Sequence, residues 1–247
     1  MYQLKNKVVI VTGAGGGLGK AFANAFAAEG AKVAIADINL EGAEQTAKEI
    51  SGSIAIKVDV TSEASVKAMA EKVVEHFGRI DVLVNNAAIY AGIQRKPFFE
   101  LSEKEWDLVM NVNLKGTWMA SKAVFPFMKE QGGGKIINIS SATVMSGSPQ
   151  WSHYVASKGG VIGLTRSMAR EIGDFNINVN NIAPGFTLTE ASLSLMDNAK
   201  EYGVQRGAIK RGSNADDIVG TALYLASKAS DFVTGQTIVV DGGKQFI

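Results

Sequence analysis

The sequence contains no cysteine, so disulfides, thiolate nucleophiles and cysteine-bound metals are all excluded. Its two histidines, His76 and His153, are too few for most zinc sites, and no metal is expected. An excess of charge of either sign is also lacking: 25 Lys and Arg stand against 24 Asp and Glu, a formal net charge of +1, with no basic block. Nucleic acid and anionic membranes therefore find no electrostatic footprint, and the expected partners are small molecules. Long hydrophobic runs are missing too. Residues 1–7 lead only into the short apolar run 8–11 before Gly13, too short for a signal segment or a membrane span, and the expected location is cytoplasmic. No Pro/Gly/Ser-rich linker, repeat or low-complexity tract breaks the 247 residues, which points to a single domain over 1–247.

What is present is 46% hydrophobic residues, enough for a substantial core. Short β-branched runs alternate with longer stretches of helical period, the pattern of repeated βα units on a parallel sheet. The expected strands are 8–11, 33–36, 54–58, 82–84, 135–139, 177–181 and 238–240. Each is nearly continuous in apolar character, as strands covered on both faces are. Helical period runs through 18–29, 41–50 and 62–77, and Ser102-Glu103-Lys104-Glu105 is a capping box opening another helix. The predicted fold is α/β: a Rossmann-like, doubly wound parallel sheet of about seven strands with helices on both faces.

The first strand runs straight into Thr12-Gly13-Ala14-Gly15-Gly16-Gly17-Leu18-Gly19, and helical period follows at once. Such a turn needs positive φ and close backbone approach, and the next helix N-terminus offers free N–H groups to a pyrophosphate. A glycine-rich turn without a ligand is the alternative, which the strand-turn-helix context disfavours. The second strand ends at Asp37, about 20 residues on, where an adenosine ribose would lie. Asp37 can accept both ribose hydroxyls. A 2′-phosphate about 5 Å away would cost on the order of 3 kcal/mol at an effective dielectric near 20. With no cation in Ala14-Gly15-Gly16 or Ile38-Asn39, NAD is the expected cofactor and NADP(H) should bind poorly. The competing role for Asp37 is a helix N-cap.

Tyr154-Val155-Ala156-Ser157-Lys158 puts a phenol and an ammonium at i and i+4, on one helix face. A nearby ammonium favours phenolate and draws a tyrosine toward useful proton transfer near neutrality. Ser141 stands thirteen positions upstream, past a predicted strand, where a hydroxyl can meet the reacting oxygen. Taken alone, Tyr-x-x-x-Lys reads as a solvated face. The combination of Thr12-Gly13-x-x-x-Gly17-x-Gly19, Asn85-Asn86-Ala87, Asn113, Ser141, Tyr154-x-x-x-Lys158, Pro184-Gly185 and Val240-Asp241-Gly242-Gly243 resembles the short-chain dehydrogenase/reductase family over essentially the whole chain.

The resemblance implies Tyr154 as general acid/base, Lys158 lowering its pKa and holding the nicotinamide ribose, Ser141 orienting substrate, and Asn113 holding a relay water. It further implies cofactor contacts from Gly13, Gly17, Leu18, Gly19, Asp37, Asp59, Val60, Asn86, Tyr154, Lys158, Pro184, Gly185, Thr187 and Thr189. Asp59 serves equally as a strand-end cap and Thr189 as a helix N-cap. Two positions depart from the family: Ala88 replaces the usual glycine, and Thr187 replaces an aliphatic residue. Ser140 beside Ser141 leaves a register choice, and the spacing to Tyr154 selects Ser141. Substrate choice is expected to rest on a lid at about 187–210 and on Tyr90, Val144, Met145, Trp151, Phe186, Leu193, Leu195 and Met196. This set suits a ring or hydrocarbon better than an anion, although each residue serves equally well as core or subunit contact. His153 points about 100° around the helix from Tyr154 and is expected at the surface or rim, as is His76 near a helix end.

The implied activity is hydride transfer between NAD(H) and a secondary alcohol or ketone, leaning toward aromatic or alicyclic substrates. A 3-oxoacyl-[acyl-carrier-protein] reductase is the rival within the class, disfavoured by Asp37 because that group generally uses NADPH. A non-catalytic dinucleotide-sensing protein on the same fold is the rival of another class, disfavoured by the intact Tyr154, Lys158, Ser141 and Asn113. The resemblance also implies a homotetramer built through 113–129 and 154–173.

Overall fold

The computed structural model describes residues 2–90, 92–193 and 198–246. Its frame is a seven-stranded, wholly parallel sheet in the order β3-β2-β1-β4-β5-β6-β7. The strands are β1 (Val8–Thr12), β2 (Lys32–Asp37), β3 (Ile54–Lys57), β4 (Val82–Asn85), β5 (Gly134–Ile139), β6 (Ile177–Pro184) and β7 (Thr237–Val240). Every predicted strand is present, with ends moved by a few residues. The largest change is in β6, which runs on to Pro184 because its last residues pair with β7.

Alternation along each strand divides the core in two. Val9 and Val11 of β1 face α1 (Gly17–Ala28) and α9 (Asp216–Ala226), through Phe22, Phe26, Ile218 and Ala222. Helix α2 (Leu40–Glu49) joins that layer through Ala43. Val8 and Ile10 face the opposite layer, where α3 (Glu63–Phe77), α5 (Gly116–Glu130) and α7 (Ser152–Ile172) contribute Met69, Val124 and Ala169. A strand buried on both faces must be apolar at every position, which is why these runs lack polar alternation. The predicted capping box is intact: Ser102 and Glu105 satisfy each other's backbone N–H at the start of α4 (Glu103–Met110). Helix α4 continues into α5 through a wide π turn, Asn111–Lys115. Two short helices, α6 (Thr143–Ser146) and α8 (Glu190–Leu193), follow β5 and β6. Among the described residues no helix is long and apolar enough to cross a membrane.

The strand order reverses between β1 and β4. Their connections leave in opposite directions and open a crevice at the carboxyl ends of the strands, the usual ligand position in such sheets.

Candidate active site

A cavity of about 950 Å³ occupies that crevice, from Asp37 and Asp59 at one end to Arg206 and Lys244 at the other. At the first end, Gly13 and Gly17 take φ of 65° and 53°, a region open to glycine without strain. A β-carbon on Gly19 would overlap the carbonyl oxygen of Gly13 and lie 2.6 Å from Asn86 Nδ2. The turn is pinned from β4: Asn86 Nδ2 donates to the carbonyls of Thr12 and Gly13, each at 3.0 Å. Thr12 Oγ1 accepts from the backbone N–H of Asn86 and Ala87, each at 3.1 Å. The N-cap of α1 is Gly16, which supplies no side-chain cap, so the first-turn N–H groups are open to an anion.

Asp37 closes this end. Its Oδ2 accepts from Gly15 N at 2.8 Å and its Oδ1 from Asn39 N at 2.9 Å. The cap of α2 is Asn39, accepting from Gly42 N, so the capping alternative for Asp37 falls to its neighbour. Each carboxylate oxygen keeps a further lone pair for a hydroxyl donor. Asp59 and Thr189 both do act as local caps. Asp59 Oδ1 takes the N–H and hydroxyl of Thr61 at 2.8 and 2.7 Å, and Thr189 Oγ1 accepts from Ser192 N at 3.2 Å.

Midway along the cavity, α7 presents Tyr154 and Lys158. Ser141, just past β5, lines the cavity with Tyr154 and acts on its phenol. Ser140 Oγ donates to the Lys158 carbonyl at 2.7 Å, whereas Ser141 is the serine that acts on the Tyr154 phenol. Lys158 Nζ donates to the Ile139 carbonyl at 2.8 Å and lies 5.9 Å from the Tyr154 ring centroid. Burial lowers this lysine to about 8. Burial also raises the Tyr154 phenol well above its ordinary value, the Tyr90 phenol adds to that, and the Ser141 hydroxyl opposes it. The expectation of a lysine-lowered tyrosine is thus corrected. Desolvation of a buried phenol outweighs an ammonium whose hydrogen bond goes to backbone.

Asn113 does not reach the cavity wall. Buried in the π turn, its Oδ1 accepts from Ile89 N at 2.7 Å, while Nδ2 donates to Ile89 O and Ser157 Oγ at 3.3 and 3.2 Å. It ties α5 and α7 to the loop after β4.

A family profile described as enoyl-(acyl carrier protein) reductase matches residues 13–245. A 3-oxoacyl-[acyl-carrier-protein] reductase of Thermotoga maritima is 42% identical over 98% of both chains. The chain is a short-chain dehydrogenase/reductase. This dehydrogenase/reductase is also 39% identical to the (2S)-[(R)-hydroxy(phenyl)methyl]succinyl-CoA dehydrogenase subunit of Thauera aromatica, over 98% of this chain and 97% of that one. A solved structure from Sinorhizobium meliloti, described as a candidate short-chain alcohol dehydrogenase, superposes with a TM-score of 0.92 at 33% identity, covering 98% of each chain. Membership makes it an oxidoreductase with a nicotinamide dinucleotide cofactor. The uncapped α1 N-terminus, following a turn folded so tightly at Gly13 and Gly19 that a β-carbon at either would collide with Ala87, Asn86 or the turn itself, is what a dinucleotide pyrophosphate requires.

Of the residues singled out in the dehydrogenase/reductase sequence, Gly13, Gly17, Leu18, Gly19, Asp37, Asp59, Val60, Asn86, Ser141, Tyr154, Lys158, Pro184, Gly185, Thr187 and Thr189 all line the one cavity. Thr187 Oγ1 donates to the Gly185 carbonyl at 3.1 Å, which accounts for its hydroxyl. Ala88 is absent from the positive-φ positions, so its methyl carries no backbone strain. Tyr90, Trp151 and Phe186 reach the cavity, whereas Val144, Met145 and Leu193 do not; Leu195 and Met196 lie outside the described residues. His153 is only 2% exposed, with Nδ1 unpartnered, not at the surface as expected, because α7 turns that face into protein. Sequence reasoning missed Arg95, Tyr202, Arg206 and Lys244, and used Asp241 only as part of a motif, without a role at the site. Each missed residue sits singly in a loop or terminal segment with no periodic neighbour, so no spacing signal pointed to them.

Proposed function

We propose that this short-chain dehydrogenase/reductase uses NAD(H) to interconvert a secondary alcohol and its ketone, with an aromatic or alicyclic group beside the carbinol carbon. The observation that carries the reading is Tyr154, with Ser141 and Lys158, on the wall of a cavity that also holds Asp37. Bound NAD(H) supplies the hydride donor or acceptor. In ketone reduction the Tyr154 hydroxyl gives its proton to the carbonyl oxygen, and in alcohol oxidation it takes the proton back. Ser141 Oγ hydrogen-bonds the same oxygen and fixes its direction. Lys158, buried beside the ring, holds the nicotinamide ribose and balances charge on the tyrosine oxygen. Asn113 supports this unit from behind. Gly13, Gly17, Leu18 and Gly19 cradle the pyrophosphate and Asp37 the adenosine ribose. Asp59 and Val60 flank the adenine, with Asn86 alongside, and Pro184, Gly185, Thr187 and Thr189 approach the carboxamide and phosphates. Tyr90 and Trp151, with ring centroids 5.9 and 5.1 Å from Tyr154, form the aromatic wall, and from the lid expected at about 187–210 the described residues Thr187, Thr189, Tyr202 and Arg206 line the cavity.

Tyr154→Phe tests the mechanism. Ring and packing persist, so NADH affinity should stay at the wild-type value while turnover falls roughly 10² to 10⁴-fold. Intact NADH binding with turnover within about threefold of wild type, far short of that loss, refutes the role. A second reading, 3-oxoacyl-[acyl-carrier-protein] reductase, is favoured by the 42% identity to the Thermotoga maritima relative. A panel of secondary alcohols, ketones and 3-oxoacyl thioesters with both cofactors separates the two. The same reading includes a homotetramer through 113–129 and 154–173, supported by the exposed Trp118 on α5. Sedimentation showing only monomer at micromolar concentration contradicts it.

A further inference from the structure

Three cations converge on the far end of the cavity from separate parts of the chain. Arg95 comes from the loop after β4, Arg206 from the turn Val204–Arg206, and Lys244 from the segment after β7. None of the three enters an ion pair among the described residues. Arg95 and Arg206 both act on the phenol of Tyr202, which burial pushes up and the two guanidiniums pull down to a net lowering, and the Arg206 guanidinium lies 5.7 Å from the Tyr202 ring centroid. A neutral hydroxyl is a poor counterweight to two guanidiniums. Lys244 shares the corner: its Nζ and Arg206 Nη2 lie 3.3 and 3.4 Å from where a β-carbon on Gly203 would stand. The acid that acts on this corner is Asp241, which raises the proton affinity of Lys244. Asp241 Oδ1 is held by the backbone N–H of Gly243 and Lys244, so three positive groups face one negative group.

We propose that this corner seats an anionic oxygen group of the substrate, a carboxylate or a phosphate. The substrate class is then an acidic secondary alcohol and its ketone. The inference rests on the assignment of Tyr154 as acid/base and adds the far end of the molecule. Trp151 sets the spacing, with its ring 5.1 Å from the Tyr154 ring and 4.5 Å from the Arg95 guanidinium. A flat, apolar spacer about one ring long therefore separates the carbinol carbon from the anion. Two guanidiniums and an ammonium match the paired oxygens of such a group. The seat reverses the expectation that the pocket suits hydrocarbon better than an anion, because the cations come together only in three dimensions.

The test compares 4-acetylbenzoate, its methyl ester and 4-acetylphenyl phosphate in NADH-dependent reduction. The anionic ketone should exceed the ester in kcat/KM by about tenfold or more, and Arg95→Gln with Arg206→Gln should cut that ratio by about the same factor. The preferred anion, benzoate or phosphate, identifies the source of the charge. An ester reduced as efficiently as both anions overturns the seat and leaves the reaction standing. If no ketone is reduced, the reaction assignment fails, and calorimetric binding of 4-acetylbenzoate to the NADH complex then decides the seat. Binding that weakens about tenfold in the double variant upholds it, whereas absent or unchanged binding overturns it.

Discussion

Asp37→Asn separates the charge of this residue from its shape. The wild-type carboxylate accepts from Gly15 N at 2.8 Å and from Asn39 N at 2.9 Å. Asparagine keeps one acceptor and sets an amide N–H against the other donor, a local cost of about 1 kcal/mol. The larger effect is electrostatic. A unit charge on a 2′-phosphate about 5 Å from the carboxylate costs on the order of 3 kcal/mol at an effective dielectric near 20. Because Asp37 is only half-buried, solvent screening trims this toward about 1.5 kcal/mol. Wild-type kcat/KM should favour NAD(H) over NADP(H) by at least about a hundredfold, with ribose hydrogen bonds adding to the repulsion. The variant should lose at least about tenfold of that ratio. Its NADP(H) efficiency should rise as NAD(H) efficiency falls. The assay is steady-state kcat/KM for both cofactors at two salt concentrations. Equal efficiencies in the wild type, or a ratio in the variant within about threefold of wild type, would falsify the assignment of Asp37.

Gly19→Ala forces a β-carbon onto the Gly13 carbonyl and 2.6 Å from Asn86 Nδ2. NADH affinity should drop by more than about tenfold, with a stability loss of about 1–3 kcal/mol; unchanged affinity by fluorescence titration would count against the cradle. Lys158 titrates at about 8, below its ordinary 10.5, because it is buried. Unfolded lysine holds its proton to the higher value, so between these two pH values the unfolded state binds more protons and stability rises with pH. Lys158→Met should remove that rise. Thermal unfolding scans from about pH 7.5 to 10 with identical slopes in both proteins would contradict the shift.

Much of the fold was legible in the sequence. Strands such as Val8–Thr12 are buried on both faces and admit little but apolar residues, so their runs announce themselves. The cofactor turn was legible for a related reason. Backbone conformation at Gly13 and the close approach of Gly19 to the Gly13 carbonyl demand glycine within the turn itself, and that constraint is written in neighbouring residues. One helix turn puts Tyr154 and Lys158 on one face, but their roles were legible only through the full set of spaced motifs and the family it resembles. What tertiary structure decided were matters of solvation and of distance along the chain. Only packing buries Tyr154 and Lys158 enough for desolvation to dominate their proton affinities. Only packing turns His153 inward and spends the Asn113 amide on Ile89 and Ser157. The cationic corner is the clearest case. Arg95, Arg206 and Lys244 lie far apart in sequence and share no period, so their common field exists only where the loops after β4, β6 and β7 meet over the carboxyl ends of the strands.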